Sequence, residues 1–404
     1  MWQDFKNVYH LCQAVLASII YGFPANDLTV IGVTGTDGKT TTSNLIYHIL
    51  KKAGYKAAVI STVSAIIDDK EHDTGFHVTT PSSFMLQSYL KKAKEVGVKY
   101  VVLEVTSHAL DQYRVWGIPF KIGVLTNVTH EHMDYHGTYE EYLSAKLKLL
   151  GASKVAIVNR DDESYERISK LKSQNANLQL KSKKFITYGL NSESDINSKA
   201  FPFKTKLLGD YNKYNVLAAV AVCQNLGILD SDIKKAIADF NPPTGRAEVV
   251  HDNDFTVMID FAHTPNSIEK ILQALRKELP KNARIIHIFG SAGERDKAKR
   301  PLMGKASSRF SDIIFLTSED PRSESPEKII DEIAEGIDKN TYKNILYKAP
   351  DRQEAILEAI KMAKKGDVVV VTGKGHERSM NHGSGEVPWS DHEAVEKALR
   401  LSNK

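Results

Sequence analysis

The sequence predicts an α/β fold with mostly parallel sheets, arranged in two domains. Short runs of β-branched residues alternate with amphipathic stretches of helical length, which is the pattern of repeated β–α–β units. The chain has 404 residues, more than a single hydrophobic core usually serves. A proline- and glycine-containing break at 241–245 separates two such series. We therefore expect one α/β domain on each side of this break.

The first series contains five segments that are short, apolar and rich in β-branched residues, which predicts buried strands. These segments are 28–34, 57–61, 100–105, 122–127 and 155–159. Helical periodicity or composition predicts four helices, at about 39–53, 82–96, 139–150 and 215–226. The segment 170–198 is rich in lysine, serine and asparagine, so we expect a loosely structured connection there.

The second series repeats the pattern after the break. Its predicted strands are 256–260, 284–289, 312–317 and 368–372. The apolar stretch 11–20 near the start of the chain is too short to span a membrane, and we interpret it as a packed helix. The predicted domains are a helical extension over 1–26, a central domain over 27–241 and a C-terminal domain over 242–404.

The composition is that of an ordinary globular protein, with 42% hydrophobic and 26% charged residues. A formal charge of +4 is small for this length, so we expect no nucleic-acid partner. Because the apolar stretch 11–20 is too short to span a membrane, we also expect no membrane insertion. The two cysteines, Cys12 and Cys223, lack the spacing of a metal site. We expect both to be small core residues in a cytoplasmic protein.

A glycine-rich segment after the first predicted strand carries the clearest chemical signal. It reads Gly35-Thr36-Asp37-Gly38-Lys39-Thr40-Thr41, where a strand runs into a turn and then a helix. Backbone N–H groups in such a turn bind phosphate, a lysine pairs with the β- and γ-phosphates, and a following hydroxyl is placed for Mg²⁺. Val33 occupies the first glycine position of the usual spacing, so a plain glycine turn with a capping threonine is the alternative.

We therefore predict a central P-loop ATPase-type domain that uses ATP and Mg²⁺. The second domain lacks such a loop, and its strand–helix series predicts a smaller Rossmann-like α/β domain. A phosphate loop alone does not separate kinases, GTPases, motor ATPases and ligases.

Motifs along most of the chain resemble those of the Mur ligases, the bacterial peptidoglycan amino-acid ligases, and follow the same order. Besides the phosphate loop they lie at 104–117, 126–127, 131–137, 144–146, 209–219, 244–246, 260–265, 291–303 and 373–377. The resemblance implies an ATP-dependent ligase that activates a carboxylate as an acyl-phosphate and joins it to an amine. It is strongest to the members that add the third residue of the stem peptide, to UDP-N-acetylmuramoyl-L-Ala-D-Glu.

Two alternatives stay open at this point. One is a similar ligase of another pathway, such as folylpolyglutamate synthesis or a cell-envelope peptide without UDP. The other is a nucleotide-binding regulatory scaffold, whose signature would be loss of Lys39, Glu104, His132 or Arg246, all of which are present. The phosphate loop begins near residue 32, so we expect the family's UDP-gripping amino-terminal domain to be missing and a separate UDP-binding partner to be an option.

The resemblance also implies a catalytic set, made up of Lys39, Glu104, His132, Lys146 and Arg246. In the family, residues matching Glu104 and His132 hold Mg²⁺ together with Thr40, and the lysine matching Lys146 is carbamylated to N6-carboxylysine. The histidine-rich cluster 129–136 could alternatively bind zinc. Without the resemblance, Lys146 would be expected to face solvent.

The remaining site residues are implied by the same resemblance. Those for ATP are Gly35, Thr36, Asp37, Gly38, Lys39, Thr40, Thr41, Asn212, Asn215, Arg246 and Asp260. Those for the precursor are Thr79, Thr80, Thr106, Ser107, Gln112 and Arg114. The alternatives are helix capping for Thr79 and Thr80, a buried capping role for Asn212, and an interdomain salt bridge for Arg246.

The incoming amino acid is implied to bind to the last domain. The matching residues are Arg295, Asp320, Arg322, Gly373 and Glu377. The family's Asp-Asn-Pro-Arg motif appears here as Glu319-Asp320-Pro321-Arg322. Arg322 can grip a distal carboxylate through two hydrogen bonds, whereas Asp320 favours a distal ammonium. We expect meso-diaminopimelate in preference to L-lysine.

Overall fold

The computed structural model describes residues 2–72, 79–129, 133–173, 180, 183–338 and 345–404. The chain divides into two compact units. The first comprises Met1–Leu207 and Tyr211–Asn241, and the second comprises Leu208–Asp210 and Pro242–Lys404. Each unit has its own sheet and its own apolar core.

The first unit is built on a sheet with nine strands among its described residues. They are β1 (Thr29–Thr34), β2 (Ala57–Ile60), β3 (Ala65–Ile67), β4 (Lys70–His72), β5 (Tyr100–Glu104), β6 (Phe120–Leu125), β7 (Val155–Asn159), β8 (Lys184–Gly189) and β9 (Ile196–Asn197). Their order is β4-β3-β2-β5-β1-β6-β7-β8-β9, and all neighbouring pairs are parallel except β2–β3 and β3–β4. The central strands β5, β1 and β6 therefore end at one edge of the sheet, where α/β proteins bind ligands.

Helices of the first unit surround this sheet. They are α1 (Trp2–Ile20), α2 (Lys39–Lys52), α3 (Ser83–Glu95), α4 (Ser107–Asp111), α5 (Met133–His136), α6 (Tyr139–Ala152), α7 (Ser164–Ser173), α8 (Asp210–Asn225) and α9 (Asp230–Asp239), with a 3₁₀ turn at Pro24–Asp27. Local sequence sets several of their starts. Thr138 and Glu141 form a reciprocal capping box at the start of α6, and the Ser82 hydroxyl accepts from Met85 N to cap α3.

The second unit contains a six-stranded sheet within the described part of the chain. Its strands are β10 (Glu248–Asp252), β11 (Thr256–Asp260), β12 (Ile285–Phe289), β13 (Ile313–Leu316), β14 (Ile345–Lys348) and β15 (Val368–Thr372), in the order β10-β11-β15-β12-β13-β14. Only β10 runs antiparallel to its neighbour. The helices are α10 (Pro265–Glu278), α11 (Lys299–Ser308), α12 (Pro326–Ala334), α13 (Arg352–Met362) and α14 (Asp391–Leu401), and a hairpin is formed by β16 (Ser379–Asn381) and β17 (Glu386–Pro388).

The α/β class and the mostly parallel sheets predicted from the sequence are confirmed. Three predicted strands, β7, β11 and β15, have the predicted bounds, and the other six differ by one or two residues at an end. Helix α8 begins five residues before its predicted start, at Asp210.

The loosely structured connection predicted at 170–198 is wrong. Helix α7 extends to Ser173, and the segment contributes β8 and β9 at the end of the sheet. Three of the residues of β8, Thr187, Tyr188 and Gly189, are buried, although the segment is polar overall. The expectation that both cysteines lie in the core is also wrong, because Cys223 is buried but Cys12 is exposed.

The apolar stretch 11–20 lies in α1, which packs against α3, so the predicted packed helix is present. Ala14 and Ala17 are buried and Val15 is half-buried, whereas Leu16, Ile19 and Ile20 are each more than half exposed. One face of α1 therefore carries exposed apolar side chains. Within the described ranges, α1 and the other helices all fall short of the length and apolarity that a membrane crossing needs.

A buried ion pair joins α13 to the start of α14 in the second unit. Arg352 donates to both carboxylate oxygens of Asp391, at 2.8 and 2.7 Å, and also to the backbone carbonyl of Thr372 at 2.8 Å. Asp391 also accepts from the Trp389 indole at 2.9 Å. Both charged side chains are almost completely buried, so each is compensated only by these protein partners.

Replacing Asp391 by alanine is expected to destabilise the second unit by about 3–5 kcal/mol, because the change leaves the Arg352 guanidinium buried without its counter-charge. Hydrogen exchange of peptides covering β15, in the full chain, measures this loss. The control is Glu269→Ala, which removes the exposed pair with Arg309 (2.6 Å) and should cost no more than about 1 kcal/mol. Equal effects of the two changes would contradict the prediction.

Candidate active site

The glycine-rich loop lies between β1 and α2, as its sequence predicts. Gly35 has a φ of 153° and Gly38 a φ of 82°. A Cβ on Gly35 would lie 1.8 Å from Thr126 Oγ1, and one on Gly38 would lie 2.2 Å from Asn215 Oδ1. Glycine is therefore required at both positions by the close approach of neighbouring side chains.

The loop is fixed to the end of β6 by hydrogen bonds. Thr126 Oγ1 donates to the carbonyl of Asp37 at 2.7 Å, and Asn127 exchanges hydrogen bonds with the Asp37 backbone at 2.9 and 3.1 Å. The Lys39 ammonium donates to the carbonyls of Thr36 and Gly35, at 2.8 and 3.1 Å. Lys39, at the start of α2, therefore contacts a loop whose backbone is held in place by Thr126 and Asn127.

Glu104 is a buried carboxylate at the carboxyl end of β5, beside this loop. It is 1% exposed. The Thr40 hydroxyl lies 3.1 and 3.0 Å from its two oxygens, and Thr62 donates to it from the backbone N–H at 3.0 Å and from the hydroxyl at 2.8 Å. The predicted pair of Thr40 and Glu104 is therefore brought together, and Thr62 joins it.

These oxygen atoms are suited to magnesium, which prefers hydroxyl and carboxylate ligands. His132, the remaining predicted ligand, lies outside the described residues, as do His130 and Glu131. Within the described part of the chain, histidine, cysteine, aspartate and glutamate side chains form no group of three or more that could hold a metal. Thr40 and Glu104 fit Mg²⁺, whereas the zinc alternative rests on the cluster 129–136, of which residues 130–132 lie outside the described residues.

Lys146 lies on α6 and is 1% exposed, so the default expectation of a solvent-facing lysine is wrong. Its ammonium donates to the Gly35 carbonyl at 2.7 Å and lies 4.1 Å from the centre of the Tyr142 ring. The same carbonyl accepts from Lys39. Two lysine side chains therefore meet at one atom of the phosphate loop.

The residues predicted to hold the precursor gather next to Glu104. The Thr80 hydroxyl donates to the Glu104 carbonyl at 3.1 Å and accepts from Thr106 N at 3.0 Å. Arg114 donates to the Thr80 carbonyl at 3.0 Å and to the Gln112 side chain at 2.9 Å. Burial lowers the pKa of the Arg114 guanidinium.

Capping explains only part of this cluster. Thr106 caps α4 by accepting from Ala109 N at 3.1 Å, and Ser107, the first residue of α4, lies 3.0 Å from His136 Nε2. The capping alternative for Thr79 and Thr80 is wrong, because Ser82 is the N-cap of α3.

Asn212 and Asn215 lie one turn apart on α8 and both are buried. The side-chain amide nitrogen of Asn215 donates to the side-chain oxygen of Asn212, Oδ1, at 2.7 Å. Asn215 Oδ1 accepts from the Thr42 hydroxyl at 3.3 Å and faces Gly38. The pair therefore packs against the phosphate loop and the first turn of α2.

In the second unit, Arg246 lies just before β10, and Asp260 is the last residue of the neighbouring strand β11. Asp260 accepts from Ala247 N at 2.6 Å and from Ala262 N at 2.7 Å. Burial raises the pKa of this carboxyl, although the positive charge of Arg246 acts against it. The Arg246 guanidinium lies 4.5 Å from the centre of the Phe261 ring.

The predicted amino-acid residues form a charged cluster around Lys374. The ammonium of Lys374, which is fully buried, lies 2.8 Å from Asp320 Oδ1 and 2.6 Å from Glu377 Oε2. Burial lowers the pKa of Lys374, but Glu377 and Asp320 outweigh it and the pKa is raised. Two carboxylates around one ammonium leave one negative charge in excess.

The two predicted arginines differ in their surroundings. Arg322 donates to the Gly293 carbonyl at 3.0 Å, and Arg295 is exposed in the loop after β12. Asp320 and Arg322 both have positive φ, at 41° and 53°, a conformation that costs energy for residues other than glycine. The β16–β17 hairpin holds this segment, since Asn381 N donates to Asp320 and Arg322 N donates to the Asn381 carbonyl.

Four residues of these clusters were missed by the sequence analysis: Thr62, Lys374, Glu319 and Asn381. Thr62 and Asn381 carry no sequence signal, because their roles depend on the approach of distant segments. Lys374 and Glu319 lie inside motifs named above, and a charged residue two or three positions after a buried strand was the available signal.

Comparison with known proteins agrees with this geometry. The model of the Mur ligase middle domain matches residues 33–223, and that of the Mur ligase glutamate ligase domain matches residues 245–375. UDP-N-acetylmuramoyl-L-alanyl-D-glutamate–2,6-diaminopimelate ligase of Aquifex aeolicus is 42% identical over 94% of this chain and 79% of its own length. The enzyme of the same name from Geobacillus kaustophilus is 37% identical over 96% of this chain and 82% of its own length.

Solved structures show the same relationship. A structure of a UDP-N-acetylmuramoyl-L-alanyl-D-glutamate–2,6-diaminopimelate ligase has a TM-score of 0.62 and 30% identity, covering 93% of this chain and 79% of that one. Escherichia coli FolC in complex with ADP has a TM-score of 0.71 at 20% identity, covering 97% and 93% of the two chains, which shows a shared fold. The family resemblance, the ligase class and the fold predicted from the sequence are thereby confirmed, and the chain belongs to the Mur ligase family.

Proposed function

We propose that this protein is an ATP- and Mg²⁺-dependent ligase that adds meso-diaminopimelate to UDP-N-acetylmuramoyl-L-Ala-D-Glu. The observation that carries the choice of amino acid is the charge arrangement in the second unit. The cluster of Asp320, Lys374 and Glu377 has one negative charge in excess, and Arg322 lies beside it. A distal group with both an ammonium and a carboxylate complements this arrangement, whereas lysine supplies only the ammonium.

The first unit supplies the groups for carboxylate activation. Attack of a carboxylate on the γ-phosphate brings two anions together, so positive charge must neutralise them. Lys39 and the N–H groups of residues 38–40 would hold the phosphates, and Thr40 and Glu104 would hold Mg²⁺. The acyl-phosphate formed in this way reacts with the amine, which forms the C–N bond and releases phosphate.

The precursor would bind beside Glu104, through the cluster of Thr80, Thr106, Ser107, Gln112 and Arg114. Arg114 supplies a positive charge next to hydroxyl groups, which suits phosphate or carboxylate oxygens. We propose further that residues 27–241 bind ATP and precursor and that residues 242–404 bind the amino acid. A cytoplasmic location and a separate UDP-binding partner belong to the same proposal.

Phosphate release with ATP and Mg²⁺ is expected to require both UDP-N-acetylmuramoyl-L-Ala-D-Glu and an amino acid, and the product mass identifies the ligation. Lys39→Ala should lower turnover by on the order of 10²–10³-fold, because a charge on the transferred phosphoryl group is lost. Lys52→Ala, at the far end of α2 in an exposed pair with Asp239, is the matched control. Equal ATP hydrolysis without acceptor or amine would contradict a ligase.

Arg322→Ala is expected to lower kcat/KM for meso-diaminopimelate by about 10- to 100-fold, since hydrogen bonds to charged groups contribute roughly 1.5–3 kcal/mol. The value for L-lysine should change little, because lysine has no distal carboxylate to lose. Arg309→Ala, which removes an exposed arginine of the same unit, serves as control. A loss of equal size for both amino acids would show that Arg322 does not read the distal carboxylate.

Lys146 is expected to carry a carbamate in the active enzyme, because a carbamate would place a negative charge near the metal and remove one of two ammonium groups from the Gly35 carbonyl. Carbon-13 NMR after exchange with labelled bicarbonate detects the group. Lys146→Arg should abolish both signal and activity. Lys148→Arg, two residues away where the lysine pairs with Asp111 at 2.8 Å, should keep both. An active enzyme without the signal would exclude the modification.

A further inference from the structure

Glu319 is a buried carboxylate that the proposed binding of the amino acid does not use. It follows β13 and is 7% exposed. Its Oε2 atom is sealed from solvent and accepts no hydrogen bond within the described residues. Buried carboxylates are ordinarily paired or hydrogen-bonded, since desolvation of a charge is costly. A side chain in this state has a function that the protein's own contacts do not supply.

The charged groups around Glu319 are all occupied elsewhere. Lys299 donates to the His263 carbonyl, Arg352 pairs with Asp391, and Lys374 pairs with Asp320 and Glu377. Burial raises the pKa of Glu319 to about 7, against the lowering effect of Lys299, His263, Arg352 and Lys374. The carboxyl therefore exists in both protonation states near neutral pH.

Glu319 lies within the cluster that would bind the amino acid. It directly precedes Asp320, and its Oε2 atom lies where the backbone of Gly373 comes closest. A Cβ on Gly373, which has a φ of 108°, would lie 2.4 Å from that oxygen. Both neighbours, Asp320 and Gly373, belong to the set proposed for the amino acid. Glycine at this position lets the backbone of residue 373 pack directly against the Glu319 carboxylate.

The ligation has a requirement that none of the paired groups meets. An amino acid in neutral solution carries an ammonium, which has no lone pair and cannot attack an acyl-phosphate. A base must take one proton first. Asp320 and Glu377 are both held by Lys374. Glu319 is the carboxylate of this cluster that has no such partner.

We propose that Glu319 accepts the proton from the ammonium that becomes the new amide nitrogen. This inference rests on the proposed function. The proton moves to a Glu319 oxygen and the nitrogen lone pair is freed. The nitrogen then forms its bond to the acyl carbon as the carbon–oxygen bond to phosphate breaks, and the second nitrogen proton leaves with phosphate. The protonated Glu319 passes its proton to water that enters as the products leave, before the next turnover.

Glu319→Gln tests the proposal, because the amide keeps the size of the side chain and cannot accept the proton. With meso-diaminopimelate, kcat should fall by about 10²–10⁴-fold, the usual range for a general base. With hydroxylamine in place of the amino acid, hydroxamate formation from the acyl-phosphate should be unchanged within a factor of three, because hydroxylamine is mostly unprotonated at neutral pH. Glu319→Asp, which keeps a carboxylate, should recover part of the activity, and the exposed Glu358→Gln is the matched control.

The pH profile of the unmodified enzyme gives a second test that does not depend on a variant. Glu319 is a base only when it is ionised, so kcat with the amino acid should fall as the pH drops below about 7, and the hydroxylamine reaction should lack this limb. Equal loss of both reactions in Glu319→Gln, or the same acid limb with both nucleophiles, would overturn the proposal. Failure of hydroxamate formation in the unmodified enzyme would instead reject the proposed function.

Discussion

The carboxylate of Glu104 is the constraint on which the arrangement of the first unit depends. It is buried at the end of β5, beside β1, where Val33 pairs with Glu104 in the parallel register. A charge in that position needs donors from several segments, and Thr40 and Thr62 provide them. Its backbone carbonyl binds Thr80, which in turn holds Thr106. One residue thus connects the start of α2 to the proposed precursor site, so both are positioned by the same strand.

The phosphate loop shows a second electrostatic constraint. The Gly35 carbonyl accepts from Lys39 at 3.1 Å and from Lys146 at 2.7 Å, so two like charges are drawn to one atom. Such a concentration of positive charge is costly in a buried site unless an anion binds there. Nucleotide phosphates would neutralise Lys39 from the loop side. Conversion of Lys146 to a carbamate would remove the repulsion altogether, which gives the proposed modification a physical reason within this chain.

The sequence predicted the strands and the local motifs well, because β-branched periodicity and glycine-rich turns are local signals. It placed Lys39, Thr40 and Glu104 in one site through motif order. It failed at 170–198, where a polar composition conceals β8 and β9, and it did not show that apolar residues of α1 face outwards. Thr62 and Asn381 could not be found, since each acts through a segment far away in the sequence. The burial of Lys146 likewise could not be predicted from the residues themselves, because a single lysine in a helix is ordinarily a surface residue.

The second unit balances its buried charges pairwise, and the exceptions carry the chemistry. Arg352 is neutralised by Asp391, and the buried Arg300 shares Glu324 and Glu332 with Lys297, so that two cations face two carboxylates. These pairs lie where they connect helices and loops, so they serve the fold. Around Lys374 one negative charge is left in excess, and the buried Oε2 atom of Glu319 accepts no hydrogen bond from the residues that the structure describes. Uncompensated buried charges lower the stability of a protein, and they are therefore typical of functional sites. There a ligand can supply the missing charge, or the group can accept a proton from the substrate. An amino acid with two ammonium groups would meet both needs, because one ammonium would bind to the cluster around Lys374 and the other would lose its proton to Glu319.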